Sequence, residues 1–205
     1  MAKKVKITIA ADTSNYTTST AAADENGKIY RIREYYGCTG EPNVGLELDP
    51  TQQAKHIREI ENEDPNLKGR KIIGIADPSI WDCSRGESIA EMMEKHPNNI
   101  LFSPGDNARL AGKMQYHYRM AFDEEGDTMF QVFDTCKHFI RTIPALVYSE
   151  SDVEDIDTTQ EDHIYDECRY VLMDNPISPR KNVLERDHIG DDPLNQRCKQ
   201  QSEDA

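Results

Sequence analysis

The sequence has no apolar run approaching the roughly 20 residues of a membrane-spanning helix. Its one stretch that mimics a secretory leader, following Met1-Ala2-Lys3-Lys4, is cut at Asp12, short of the roughly 7–15 apolar residues a leader needs, and reads instead as a first strand. Paired cysteines are also lacking. The five present (Cys38, Cys83, Cys136, Cys168 and Cys198) are odd in number, far apart and never spaced Cys-x-x-Cys. This excludes a disulfide framework and a zinc knuckle and points to a reducing compartment, the cytosol. Positive charge is scarce, with 24 Lys and Arg against 38 Asp and Glu and a net charge of -14. Such a field repels phosphate, so any contact with nucleic acid has to be local or mediated by metal. A nucleotide loop is missing too. Gly105 to Met114 imitates one, but six residues rather than four separate Gly105 from Gly112, and Met114 stands where Ser or Thr would be needed. Cys136-x-His138 with Cys83 has poor spacing for zinc.

What remains is a chain of 205 residues, 37% apolar, sufficient for one domain with an appendage. Residues 1–174 read as that domain. From Asn175 to Ala205 apolar residues thin out among Pro, Asp, Arg and Gln, the composition of a flexible tail. Within the domain, Val5 to Ala11 alternate with period two and end at Asp12, a half-buried strand. A strand over 18–23, a turn at Asp24-Glu25-Asn26-Gly27 and a return over 28–36 form a hairpin. Asp49-Pro50 opens a helix that stops near Pro65, and Lys71 to Ala76 is an apolar run typical of a strand covered on both faces. Ser84 and Glu87 have capping-box spacing ahead of a helix to Lys95. A brief strand at 100–102, a helix capped by Asp106 or Asn107, a strand over 129–133, a helix over 137–143 and a last helix over 160–173 complete the pattern.

The expected fold class is therefore α/β, a mixed central sheet whose first three strands are antiparallel, flanked by helices. If the strand at 71–76 lies parallel beside the first, Asp12 and Asp77 emerge together at the carboxyl edge, where open α/β sheets bind ligands. Asp162 and Asp166 are four apart and share one helical face, with Ile164, Cys168, Val171 and Leu172 turned to a core. Clustered carboxylates repel and raise one another's pKa, whereas a hard divalent cation turns them into ligands. Each aspartate also has a plain structural use, as a turn residue or near a helix start.

Ile75-Ala76-Asp77-Pro78-Ser79-Ile80-Trp81-Asp82, Gly86-Glu87-Ser88-Ile89, Asn107-Ala108-Arg109, Gly112-Lys113 and above all Asp162-His163-Ile164-Tyr165-Asp166-Glu167-Cys168-Arg169-Tyr170 resemble the nuclease domain of tailed-bacteriophage large terminase subunits, over about residues 7–173. The match at Asp12 is looser, because Thr13-Ser14 replaces an aromatic-glycine pair. The resemblance implies a ribonuclease-H-like fold and metal-dependent cutting of concatemeric viral DNA during genome packaging in the host cell cytoplasm. It makes Asp12, Asp77 and Asp162 a metal-binding triad for two Mg2+ or Mn2+ ions, with Asp166 accessory and His163 beside it. Which of Asp162, His163 and Asp166 touches metal stays open. Double-stranded DNA is the implied substrate, with portal protein and the small terminase subunit as partners. The packaging ATPase that usually precedes this nuclease has no counterpart in the chain.

For the DNA backbone the candidates are Arg109 and Lys113, which share a helix face, with Arg119, Lys137, His138 and Arg141. Two rival readings are a noncatalytic docking module for portal or small terminase, and a resolvase of branched DNA on the same fold.

Overall fold

The computed structural model describes residues 6–12, 17–39, 41 and 44–178, with only the backbone of residues 7 and 9–12. The first residues of the expected domain and nearly all of the expected tail lie outside the described residues. Six strands form one mixed sheet in the order β5-β4-β1-β2-β3-β6. β1 (Lys6–Asp12) runs antiparallel to β2 (Thr17–Ala23), which runs antiparallel to β3 (Ile29–Tyr36). β4 (Ile72–Ala76) lies parallel to β1, and β5 (Phe102–Pro104) parallel to β4. β6 (Phe130–Val132) closes the far edge, parallel to β3.

β3 contains the irregularity that matters most. Thr20 pairs with Arg33 and Ala21 with Arg31, leaving Ile32 as an extra residue, and a bulge of this kind reverses the alternation of faces. Arg31 and Glu34, three apart, thereby reach the same side of the sheet and pair there. On that side lie α3 (Arg109–Met120), α4 (Lys137–Thr142) and α5 (His163–Asp174), enclosing the main core of Ile29, Phe130, Phe139, Ile164, Val171 and Leu172. On the other side α1 (Pro50–Glu63) and α2 (Ile89–Glu94) bury Ala54, Ile57, Met93 and Ile100 against β4 and β5. The apolar strand at 72–76 is thus covered twice, which is why it reads as nearly continuous hydrophobics.

Local chemistry explains where elements begin. Asp49 accepts from the Thr51 and Gln52 amides while the Gln52 side chain returns to the Asp49 amide, with Pro50 in the first turn of α1. The capping box of α2 is not Ser84 with Glu87 but Ser88 with Glu91. The Ser84 amide and hydroxyl both donate to Asp82 instead, 2.8 and 2.9 Å. α3 starts without a side-chain cap at Ala108, because Asp106 takes the Ala108 amide in a turn before it. β5 begins at Phe102 rather than Ile100, whose side chain is drawn into the smaller core. α5 begins at His163, three residues later than its sequence pattern suggests, since the Gln160 side chain is engaged by both main-chain groups of Val147.

Candidate active site

The parallel pairing of β1 with β4 aligns Ala11 with Ala76. The next residue on each strand is an aspartate, so the backbones of Asp12 and Asp77 sit side by side where the strands end. The Asp12 side chain lies outside the described residues. Asp77 begins the 3-10 turn Pro78–Trp81, and its carboxylate accepts the Ser79 amide at 2.7 Å. Its other oxygen accepts the hydroxyl of Tyr170 from α5. Burial pushes the Asp77 carboxyl up, but the hydrogen bonds from Ser79 and Tyr170 outweigh it and hold it below its ordinary value.

α5, which carries Asp166 and is preceded by Asp162, packs against β1, β2 and β4. Asp162 immediately precedes the helix, and its carbonyl accepts the Asp166 amide at 2.9 Å, so the two remain one turn apart. Asp162 is only 7% exposed. Burial first, and the Asp166 carboxylate second, push it up to about 6. Asp166 is held by two guanidiniums, Arg109 at 3.2 Å and Arg169 at 3.1 Å. His163 is half-buried at the first position of α5.

The basic candidates fare differently. Arg109 is clamped between Asp155 at 2.6 Å and Asp166. Lys113 donates to the Glu154 carbonyl and lies over the Tyr148 ring, 4.3 Å from its centre. Arg141 makes a two-pronged bond to Glu161, both arms 2.7 Å. Lys137 is exposed at the start of α4, and His138 rests against Tyr36 with ring centres 4.9 Å apart. Arg119 is not a backbone-binding group. It is 0% exposed and spends its donors on the carbonyls of Gly27, Met129 and Asn175. An arginine in a helix sequence advertises charge but not which face it occupies, which is why the pattern misplaced it.

Two residues to which sequence reasoning assigned no role reach this site, and Asn107, expected only as a cap for α3, joins them. Arg169 lies fully buried one turn beyond Asp166, donating to Asp166 and, at 3.1 Å, to Asn107. Tyr170 follows and reaches Asp77. Their spacing from Asp166, three and four residues, was the available signal. The apolar groove of about 420 Å³ between α3 and the segment after Ile143, lined by Tyr116, Met120, Leu146 and Tyr148, holds none of these carboxylates.

The donor chemistry fits a hard divalent cation. All the groups are carboxylates, and one of them is buried beside another with its proton retained almost to neutrality, a state that a cation relieves. Among the described residues no three His, Cys, Asp or Glu side chains converge closely enough to hold an ion, so the fit is one of chemistry and not of a closed cage.

A mixed sheet with helices on both faces and acidic groups at the ends of adjacent parallel strands defines an α/β protein with its candidate site at the carboxyl edge. Among solved structures it is similar to the crystal structure of the g2p (large terminase) nuclease domain from bacteriophage SPP1 with bound Mn, at a TM-score of 0.52 and 16% identity, over 80% of this chain and 84% of that one. The likeness shows the fold. No protein-family model matches the chain, and no curated protein matches it.

Proposed function

We propose that this chain is a Mg2+- or Mn2+-dependent DNA endonuclease of ribonuclease-H-like fold that cuts concatemeric viral DNA during genome packaging. Two observations support it: the fold is that of a nuclease domain crystallised with Mn, and Asp12 and Asp77 follow adjacent parallel strands, with the helix that carries Asp166 tied to Asp77 through Tyr170. The second carries the most weight. Asp77 after β4 and Asp166 on α5 are tied to consecutive residues of the same helix, Tyr170 and Arg169, with Asp162 one turn away and the Asp12 backbone in register beside Asp77.

In this scheme Asp12, Asp77, Asp162 and Asp166 hold two cations, with His163 adjoining. Divalent ions, when bound, supply an activated water and neutralise charge at the leaving oxygen of the phosphodiester. Asp77 is kept ionised by its two donors and so is ready to bind at any pH above its depressed value. Asp162, whose carboxyl is pushed up to about 6 by burial and by Asp166, would be held in its ionised form by a bound cation. Arg109, Lys113, Lys137 and Arg141 guide the DNA backbone, Arg109, Lys113 and Arg141 once Asp155, Asp166, Glu154 and Glu161 release them. Residues 1–174 form the nuclease domain and 175–205 a tail, with portal protein and the small terminase subunit as partners in the host cytoplasm.

Incubation of the protein with supercoiled plasmid and Mn2+ is the test. Nicked and linear products are expected, and Asp77→Ala should lower the rate by about 100-fold or more, the loss of a few kcal/mol of charge stabilisation. Equal cutting by both proteins would remove the assignment.

A further inference from the structure

Arg169 and Tyr170 are consecutive, buried, and built into the fold at visible cost. Arg169 is 0% exposed, yet its Nη1 has no hydrogen-bond partner. An incompletely satisfied buried guanidinium destabilises a fold that an apolar side chain of similar volume would stabilise. Two separate elements also give way for this pair. A Cβ on Gly112 of α3 would lie 2.3 Å from the Arg169 side chain, and one on Gly105, after β5, 2.4 Å from the Tyr170 ring. Real Cβ atoms do not approach so closely, so both positions must be glycine for the two side chains to sit where they do.

The hydrogen bonds run in one direction. The Arg169 Nε donates to Asp166 and its Nη2 to Asn107 Oδ1, both at 3.1 Å, with the Tyr170 hydroxyl oxygen 3.5 Å from Nη2. Tyr170 then gives its single hydroxyl proton to Asp77. Asn107, from the loop between β5 and α3, is the external anchor that fixes the guanidinium plane. A rigid chain therefore links the carboxylate that follows β4 to the carboxylate on α5.

From this we infer that Arg169, Tyr170 and Asn107 are positioning residues, which set the distance and orientation of the Asp77 and Asp166 carboxylates for a shared cation site. The inference rests on the nuclease proposal above. Groups that orient metal-binding carboxylates without touching the metal commonly affect affinity by about 10–100-fold. Packing alone would not require the Tyr170 hydroxyl.

Titration of the full chain with Mn2+, followed by the electron paramagnetic resonance of the free ion, separates the possibilities without relying on cleavage. Wild-type protein should bind Mn2+, and Tyr170→Phe, which removes one oxygen, should weaken binding by about 10–100-fold while keeping a cooperative thermal transition. Asn107→Ala, at an exposed position, should weaken it in the same direction and serves as the readout if Tyr170→Phe fails to fold. Unchanged Mn2+ affinity in the folded variants overturns the positioning role and leaves the nuclease proposal standing. Absence of Mn2+ uptake by the wild-type protein contradicts that proposal itself.

Discussion

Asp162 is a carboxylate in the wrong place for stability. With its folded value pushed up to about 6 by burial and by Asp166, against 3.8 for an ordinary aspartate, it keeps its proton in the metal-free fold where the unfolded chain would already have lost it. The sign follows by linkage. Below about pH 4 both states are protonated and nothing is lost; as pH rises from there to about 6 the unfolded chain is favoured, and the deficit is complete above that. About two pKa units correspond to about 2–3 kcal/mol. Asp162→Asn should therefore raise the Tm of the metal-free protein at pH 7, have little effect near pH 4, and remove the additional stability that saturating Mn2+ gives the wild type. A lower Tm for the variant at pH 7 would show that the carboxylate is structural.

Strand β3 and helix α5 are joined by a second acidic group, Glu167, that sequence patterning assigns simply to a helix. Glu167 and Arg31 are 0% and 1% exposed and meet at 2.7 Å, and Ser19 donates to the same carboxylate. Glu34, brought alongside by the bulge at Ile32, bonds Arg31 at 3.4 Å and accepts the amides of His138 and Phe139, so β3 supplies the cap that α4 lacks. Burial pushes the Glu167 carboxyl up while Arg31 pulls it down. Removing one partner of such a pair leaves an uncompensated buried charge, worth about 3–5 kcal/mol. Denaturant unfolding should show a loss of that size for Glu167→Gln and a clear recovery in the Arg31→Met, Glu167→Leu double variant; additive losses would mean that the pair is not coupled. Strand alternation located β1, the Asn26-Gly27 turn located the hairpin of β2 and β3, the continuous apolar run located β4, and caps with a 3.6-residue period located α1, α3 and α5. These patterns misplaced the start of α5, set by Gln160 reaching Val147, and Arg119, and they were silent on what depends on long-range pairing: the burial of Arg31, Glu167 and Arg169, and the need for a small residue at Gly112 where Arg169 passes. The acidic residues stood out one by one, and the backbones of Asp12 and Asp77 lie as neighbours as they should if the apolar strand pairs parallel with the first. The Tyr170–Asp77 and Arg169–Asn107 links did not stand out, because hydrogen bonds across 93 and 62 residues leave no local trace of their partners.

Over the whole molecule, a net charge of -14 sets the terms on which DNA can be approached. Three of the cations expected to guide the backbone are engaged by the protein's own acidic segments: Arg109 by Asp155, Lys113 by the Glu154 carbonyl and Arg141 by Glu161. No helix among the described residues is long and apolar enough to cross a membrane. In the proposed enzyme, cations at the sheet edge therefore serve both chemistry and attraction of the phosphate backbone, in a molecule whose long-range field opposes it. The most direct measurement is a crystal of the full chain grown with Mn2+ and examined for anomalous scattering. A peak bounded by Asp12, Asp77 and the first turn of α5 is expected, with carboxylate oxygens about 2.0–2.6 Å away, the range of hard-cation coordination. Ordered Asp12, Asp77, Asp162 and Asp166 side chains with no manganese between them would contradict it.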